Sequence, residues 1–338
     1  MVKLADLIKK SKEETSPESK ISIADILPQK PVKETLADIE NLYESLIFKT
    51  KKLCDDLMLG RPVEWKKIAE NADKVLEIFI VKPEIFMALV NNWKKPYDVS
   101  SYFYFHCVNS AILAANVGLA MDLPKSDIIV LGGGGFIHDI GLLNIPPELI
   151  NATRKLTDEE FVEMRRHPAY GLTLLSRIKD APKSVADIIY QHHENVDGSG
   201  YPEGKKDEEI SLFAKIVSLV EVYESLTHYR PYRQEKVLPF EAIKMIILES
   251  ENKFDRGVTK AFLDYITFYP VGSCVVLNNN ETGRVVGINK KVPMRPIIEI
   301  FLDNQGNRLA KPRRVDLLKS TVLYIKKAVP GDSQIESS

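Results

Sequence analysis

The chain has 338 residues, with 46 Lys and Arg against 47 Asp and Glu, 44% hydrophobic and 28% charged. A net charge of −1 lacks the positive field of a general nucleic-acid coat or a polybasic membrane binder, so DNA, RNA and membrane are not expected as partners. The three cysteines, Cys54, Cys107 and Cys274, are far apart, which gives neither a disulfide framework nor a thiolate metal site and suits a reducing cytoplasm.

At about 150 residues per domain the length allows two domains. No apolar run reaches the roughly 18 to 20 residues that cross a bilayer. Ala111–Met121 is interrupted by Asn116, and Ile128–Ile137 by the glycines at 132–135. The first twenty residues lack the apolar stretch of a secretory signal, and a cytoplasmic protein is expected.

The first thirty residues are polar, closing on an alternating stretch, Ile21–Ile26, that fits one strand in an otherwise disordered start. Leu36, Ile39, Tyr43, Leu46, Leu53 and Leu57 then recur at steps near three and four, one apolar helical stripe ended by Gly60. A second helix is predicted over Glu64–Ile80 and a third from Pro83. These helices read as a packing or dimerisation layer over residues 1–96. Between 97 and 269 the chain is helix-compatible, with helices predicted near 100–121, 125–140, 157–177, 182–193, 210–228 and 239–250. From 270 to 327 β-branched runs separated by turn residues predict a small antiparallel sheet or barrel: Val271–Leu277, Gly283–Gly287, Pro296–Leu302 and Thr321–Ile325. Residues 328–338 read as a disordered tail. The fold class is mainly α, a helical bundle followed by a β module.

All six histidines lie in the helical block. Taken singly, each reads as a satisfied core residue. Together, His138-Asp139, His167-Pro168 and His192-His193 form a set of imidazole and carboxylate ligands without thiolate, which suits iron or manganese, with zinc also open. In a dyad such as His138-Asp139 the imidazole binds one ion while the carboxylate bridges two, roughly 3.5–4 Å apart. Neighbouring helical residues point about 100° apart, so adjacent ligands require a helix end. Gly141 and Gly198 follow the two pairs closely enough to supply one. The run Gly132–Gly135 lacks the GxxxxGK[ST] spacing of a phosphate loop and reads as close helix packing.

The stretches Phe136–Gly141, Met164–Pro168, His192–Pro202 (HHENVDGSGYP) and Leu226–Arg233 resemble the HD-GYP domain, a branch of the HD metal-dependent phosphohydrolases that hydrolyses cyclic di-GMP. The resemblance covers about residues 97–267, and the sheet-like region after it is similar to an extension on some members. It implies an HD-type helical bundle and two divalent ions, iron first and manganese next. The implied metal ligands are His106, His138, Asp139, His167, His192, His193 and Glu221, with Asp139 as the bridge. It further implies Tyr201, Pro202, Arg230 and Arg233 at the substrate phosphates, with Asp139, Tyr201, Arg230 and Arg233 as the catalytic set. Glu194 and Asp197 would orient the imidazoles and the loop. The implied reaction is attack by a hydroxide shared between the ions, giving pGpG or, after a second cut, GMP.

Three positions depart from the family. Glu221 stands where members carry Asp, Leu142 where they carry a phosphate-contacting Lys, and Tyr102 where some hold a third metal through Glu. Two other readings stay open: a cyclic di-GMP or partner-binding signalling module with little turnover, and a phosphohydrolase for another nucleotide. Homodimerisation through the N-terminal helices and a signalling partner are also expected.

Overall fold

The apolar stripe of the N-terminal region becomes helix α1, Leu36–Met58, which buries Ile39, Tyr43, Leu46 and Leu57. In this computed structural model the described residues are 36–81, 90, 101–228, 230, 236–266, 268–289 and 292–329. The predicted strand at Ile21–Ile26, most of the helix from Pro83, and the tail from Gly331 lie outside them. After α1 come β1 (Val63–Glu64) and α2 (Trp65–Val81). The central helices are α3 (Tyr102–Ala120) and α4 (Lys125–Ile137), followed by a 3-10 turn at Ile140–Asn144 and the short α5 (Pro147–Ile150).

The single helix predicted over 157–177 is two: α6, Asp158–Met164, and α7, His167–Leu175. Pro168 forces the break, because it has no N–H to return to the Met164 carbonyl four residues back. Helix α6 opens on a capping box in which Thr157 Oγ1 accepts from Glu160 N at 3.3 Å and Glu160 Oε2 accepts from Thr157 N at 2.9 Å. Strand β2 (Ile178–Lys179) pairs in parallel with β1, Val63 facing Ile178. Then follow α8 (Lys183–Gln191), α9 (Leu212–Thr227), α10 (Pro239–Glu249) and α11 (Arg256–Tyr265). Helix α11 was not predicted. Its signal is the Asp255 cap, which accepts from Val258 N at 2.9 Å.

Helices α3 and α4 are each long and apolar enough to cross a membrane, contrary to the sequence expectation, once α4 is taken with its 3-10 extension to Asn144. Their most apolar windows are 78% and 67% buried within the protein, so here that apolarity serves the core. The glycine run on α4 packs as predicted. A Cβ on Gly133 would meet the Trp65 ring, one on Gly134 the Ile188 side chain, and one on Gly135 would lie 2.7 Å from the Ala111 backbone. The helix bearing His138 is thus seated directly on α2, α3 and α8.

The C-terminal region is an open five-stranded antiparallel sheet, not a barrel, in the order β6-β5-β4-β3-β7. The strands are β3 (Cys274–Leu277), β4 (Thr282–Gly287), β5 (Ile297–Leu302), β6 (Arg308–Asp316) and β7 (Ile325–Val329). Strand β6 was missed because its exposed, basic sequence shows no apolar alternation, as befits an edge strand. The last strand was predicted at Thr321–Ile325 and begins at Ile325 instead. Tyr324 N donates to Asn278 Oδ1 at 3.0 Å, so the chain folds around Asn278 before it joins the ladder. One continuous core runs from Tyr43 through Ile112, Ile188 and Tyr223 to Val275 and Ile298.

Candidate metal centre

His138 and His192 are the C-terminal caps of α4 and α8, the helix ends that adjacent ligands require. A helix end leaves its last carbonyls without partners, and the imidazoles take them. His138 Nδ1 lies 2.8 Å from Gly135 O, and His192 Nδ1 lies 3.0 Å from Ile189 O. His167 uses the carbonyl that Pro168 releases, its Nδ1 lying 2.9 Å from Met164 O. These bonds place the proton on Nδ1 and turn an Nε2 lone pair inward, the tautomer of a metal-binding imidazole.

The inward nitrogens meet the carboxylate of Asp139 in two pairs. Oδ2 lies 3.3 Å from His106 Nε2 and 3.6 Å from His138 Nε2. Oδ1 lies 3.3 Å from His167 Nε2 and 3.4 Å from His192 Nε2. The nitrogens within each pair are 3.1 and 3.3 Å apart. His193 joins the His167–His192 side, and Glu221 reaches the space between His138 and His192. Oδ1 of Asp139 is buried without a hydrogen-bond donor. Lone pairs crowded face to face, with an orphaned buried carboxylate oxygen between them, are stable only around positive charge. The donor set therefore fits divalent cations.

Burial pushes His138 down to about 3 and His167 to about 4, so both are neutral ligands at ordinary pH. Burial and Arg230 oppose charge on His106, but Glu224 and Asp139 outweigh them and lift it to about 9. Burial, then Asp139, pushes Glu221 up to about 7. Two close carboxylates and their imidazoles together create a field that favours added cationic charge.

Glu224 is the functional residue that the sequence reading missed. Buried on α9 one turn after Glu221, it places Oε2 2.5 Å from His106 Nδ1, while Oε1 accepts from Asn109 Nδ2 at 3.0 Å. Arg230 Nη2 donates to the same Oε2 at 3.0 Å. The signal was the i, i+3 spacing of two glutamates on one helix. Arg230, predicted at the substrate phosphate, is buried here against Glu224, with the Tyr102 ring 5.6 Å away.

Tyr201 stacks on His193 with ring centroids 4.6 Å apart and 20° between planes. Pro202 is exposed beside it. Glu194 and Asp197 hold the loop rather than the imidazoles, which corrects half of their expected role. Glu194 accepts from Glu203 N at 2.8 Å and Lys205 N at 3.0 Å, and Asp197 accepts from Ser199 N at 2.8 Å. Leu142 packs beside the apolar cluster of Cys54, Phe103 and Cys107. Arg233 lies outside the described residues.

Comparison with known proteins agrees with this geometry. The HD domain family matches residues 91–258, and a KOW domain associated with HD domains matches residues 274–336. A cyclic di-GMP phosphodiesterase of Pseudomonas aeruginosa is 31% identical over 78% of this chain and 62% of its own length. One from Thermotoga maritima is 37% identical over 56% of this chain and 52% of its own. The chain thus spans between half and two thirds of these relatives. An HDG"Y"P protein from Bdellovibrio bacteriovorus shares the fold, with TM-score 0.55, 17% identity and coverage of 72% of this chain and 76% of that one. The chain belongs to the HD domain family.

Proposed function

We propose that this protein is a two-metal phosphodiesterase that hydrolyses cyclic di-GMP to linear pGpG, with GMP as the product of any second cut. The observation that carries the reading is the division of Asp139 between two imidazole pairs, Oδ2 toward His106 and His138 and Oδ1 toward His167 and His192. His106, His138 and Asp139 would hold one ion and Asp139, His167, His192 and His193 the other, with Glu221 between them. Iron is the first choice and manganese the second, because imidazole and carboxylate without thiolate suit both. When bound, such ions supply Lewis acidity, lowering the pKa of water and taking up phosphoryl charge.

The chain's own residues do the rest. Glu224 fixes the His106 ring, Tyr201 walls the His193 side, and Arg230 is paired with Glu224, which leaves the phosphate role to Arg233 on the family resemblance alone. The working division is residues 1–96 as a packing layer, 97–269 as the catalytic unit and 270–329 as an attached β module, which runs two residues past the expected 327 because Ala328 and Val329 pair with Val275 and Cys274. Pairing of two copies would use the outer face of α1, where Phe48 and Met58 are exposed. The three buried free cysteines support a cytoplasmic setting.

The test is anaerobic purification with iron and manganese quantified, followed by chromatography of a cyclic di-GMP reaction. About two ions per chain and accumulating pGpG support the proposal. Bound metal with intact substrate would favour the second reading, a binding module without turnover. The packing of Leu142 among apolar side chains, where the family resemblance implies a lysine, is the specific observation in its favour.

A further inference from the structure

Four planar groups stack in file from the protein surface to the metal centre. The guanidinium carbon of Arg165 lies 4.6 Å from the Phe161 ring centroid and 5.0 Å from that of Tyr201. Tyr201 in turn stacks on His193 at 4.6 Å. Arg165 and Phe161 are exposed. The neighbouring Arg166 is tied to Glu163 at 2.8 Å, but among the described residues Arg165 has no carboxylate partner. A guanidinium held between two rings keeps its in-plane N–H groups free, because stacking uses only its faces. Those N–H groups form a fork that matches two acceptor oxygens, or an oxygen and a nitrogen, side by side.

We propose that Arg165 is a substrate-positioning residue that holds the part of a cyclic dinucleotide lying outside the metal centre, through a paired acceptor edge: the second phosphate or the O6/N7 edge of a guanine. This inference rests on the proposed activity. Tyr201 separates Arg165 from His193, so the guanidinium faces the half of the ligand that is not being cut. It supplies a positive charge at the rim of a centre in which Leu142 brings none. The break between α6 and α7, enforced by Pro168, sets Arg165 two residues before His167. The group that positions the ligand and a group that positions metal therefore share one corner of the chain.

The experiment compares wild type, Arg165→Ala and Arg165→Lys as metal-loaded full-length protein, with metal content measured for each. The substrates are cyclic di-GMP, cyclic di-AMP and bis(4-nitrophenyl) phosphate, which has neither a second phosphate nor a purine. Arg165→Ala is expected to raise KM for cyclic di-GMP about ten- to a hundredfold, the worth of a charge-assisted hydrogen bond, with kcat and metal content little changed. Arg165→Lys should fall between, having charge but no fork. Turnover of bis(4-nitrophenyl) phosphate should stay at the wild-type level. If the second phosphate is held, cyclic di-AMP weakens in parallel. If the guanine edge is held, only cyclic di-GMP weakens. A KM for cyclic di-GMP within twofold of wild type overturns the role of Arg165 and leaves the proposed activity standing, as does an equal loss on all three substrates. A metal-loaded wild type that neither binds nor cleaves cyclic di-GMP overturns both.

Discussion

Glu224 Oε2 stands 2.5 Å from Nδ1 of His106, whereas His138, His167 and His192 turn the same nitrogen to backbone carbonyls. His106 lies in the second turn of α3, where the preceding carbonyls are already bonded along the helix, so a side chain has to orient it. Opposing charge from His106, His228 and Arg230 overcomes the burial of Glu224 and holds its carboxyl well below the usual range.

Glu224→Gln should therefore reduce metal affinity about ten- to a hundredfold, the usual cost of losing a partner behind a metal-binding imidazole. Titration with manganese or iron checks this. Glu224→Ala should also cost about 3–5 kcal/mol of stability, because it strands the buried Arg230. Urea unfolding of the two variants separates the effects.

Asp139 serves both imidazole pairs and Glu221 sits between them. Asp139→Ala should lose both ions, whereas Glu221→Ala should mainly loosen one, read as metal per chain after gel filtration. Wild-type metal content in Asp139→Ala would be incompatible with the centre described here. Glu221→Asp withdraws the carboxylate by one methylene and should lower occupancy rather than raise it.

Glu194 accepts two backbone N–H groups of the loop after Tyr201. Glu194→Ala leaves both without that acceptor, a cost of about 1–3 kcal/mol, and releases Tyr201 from its place against His193. The expected signature is a raised KM for cyclic di-GMP with metal content retained.

A Cβ at position 141 would collide with the His167 carbonyl and lie 2.5 Å from Gly171 N. The close approach of the 3-10 turn to α7 thus depends on Gly141. Gly141→Ala should displace His167 and lower both metal content and melting temperature, measured by elemental analysis and calorimetry.

The Arg154 ion pair, then the Thr157 backbone N–H, pull the exposed Glu160 carboxyl down to about 2. A carboxylate depressed in the folded state contributes stability above its unfolded value of about 4.3, and that contribution is lost as pH falls through the folded value. The destabilisation caused by Glu160→Gln, measured by urea unfolding, should be present at pH 7 and gone near pH 2. Because the box caps α6, Thr157→Ala should cost about 1 kcal/mol and loosen the Phe161–Arg165 stack.

The candidate pairs His138-Asp139, His167-Pro168 and His192-His193 were legible in the sequence because their chemistry is written in short contiguous strings at helix ends, whereas His106 and Glu221 came only with the family resemblance. Glu224 and Arg165 were not legible, because their roles depend on which residues the bundle brings opposite them, 118 positions away for His106 and Glu224. Helix boundaries followed the periodicity except where one residue decided the matter, as Pro168 did. Strand β6 failed for the opposite reason: its pairing comes from the β5 backbone, to which its own side chains give no clue.

The glycine face of α4 has a consequence for how the centre responds to distant change. Three of its neighbours touch bare backbone or fill the space where a side chain would stand, so no flexible group lies between them and the helix carrying His138. Enlarging Ala111, Ile188 or Trp65 cannot be absorbed by a rotamer on α4. It must shift the helix itself and carry His138 and Asp139 with it. In this bundle the placement of His138 and Asp139 is set by the girth of residues that never touch them.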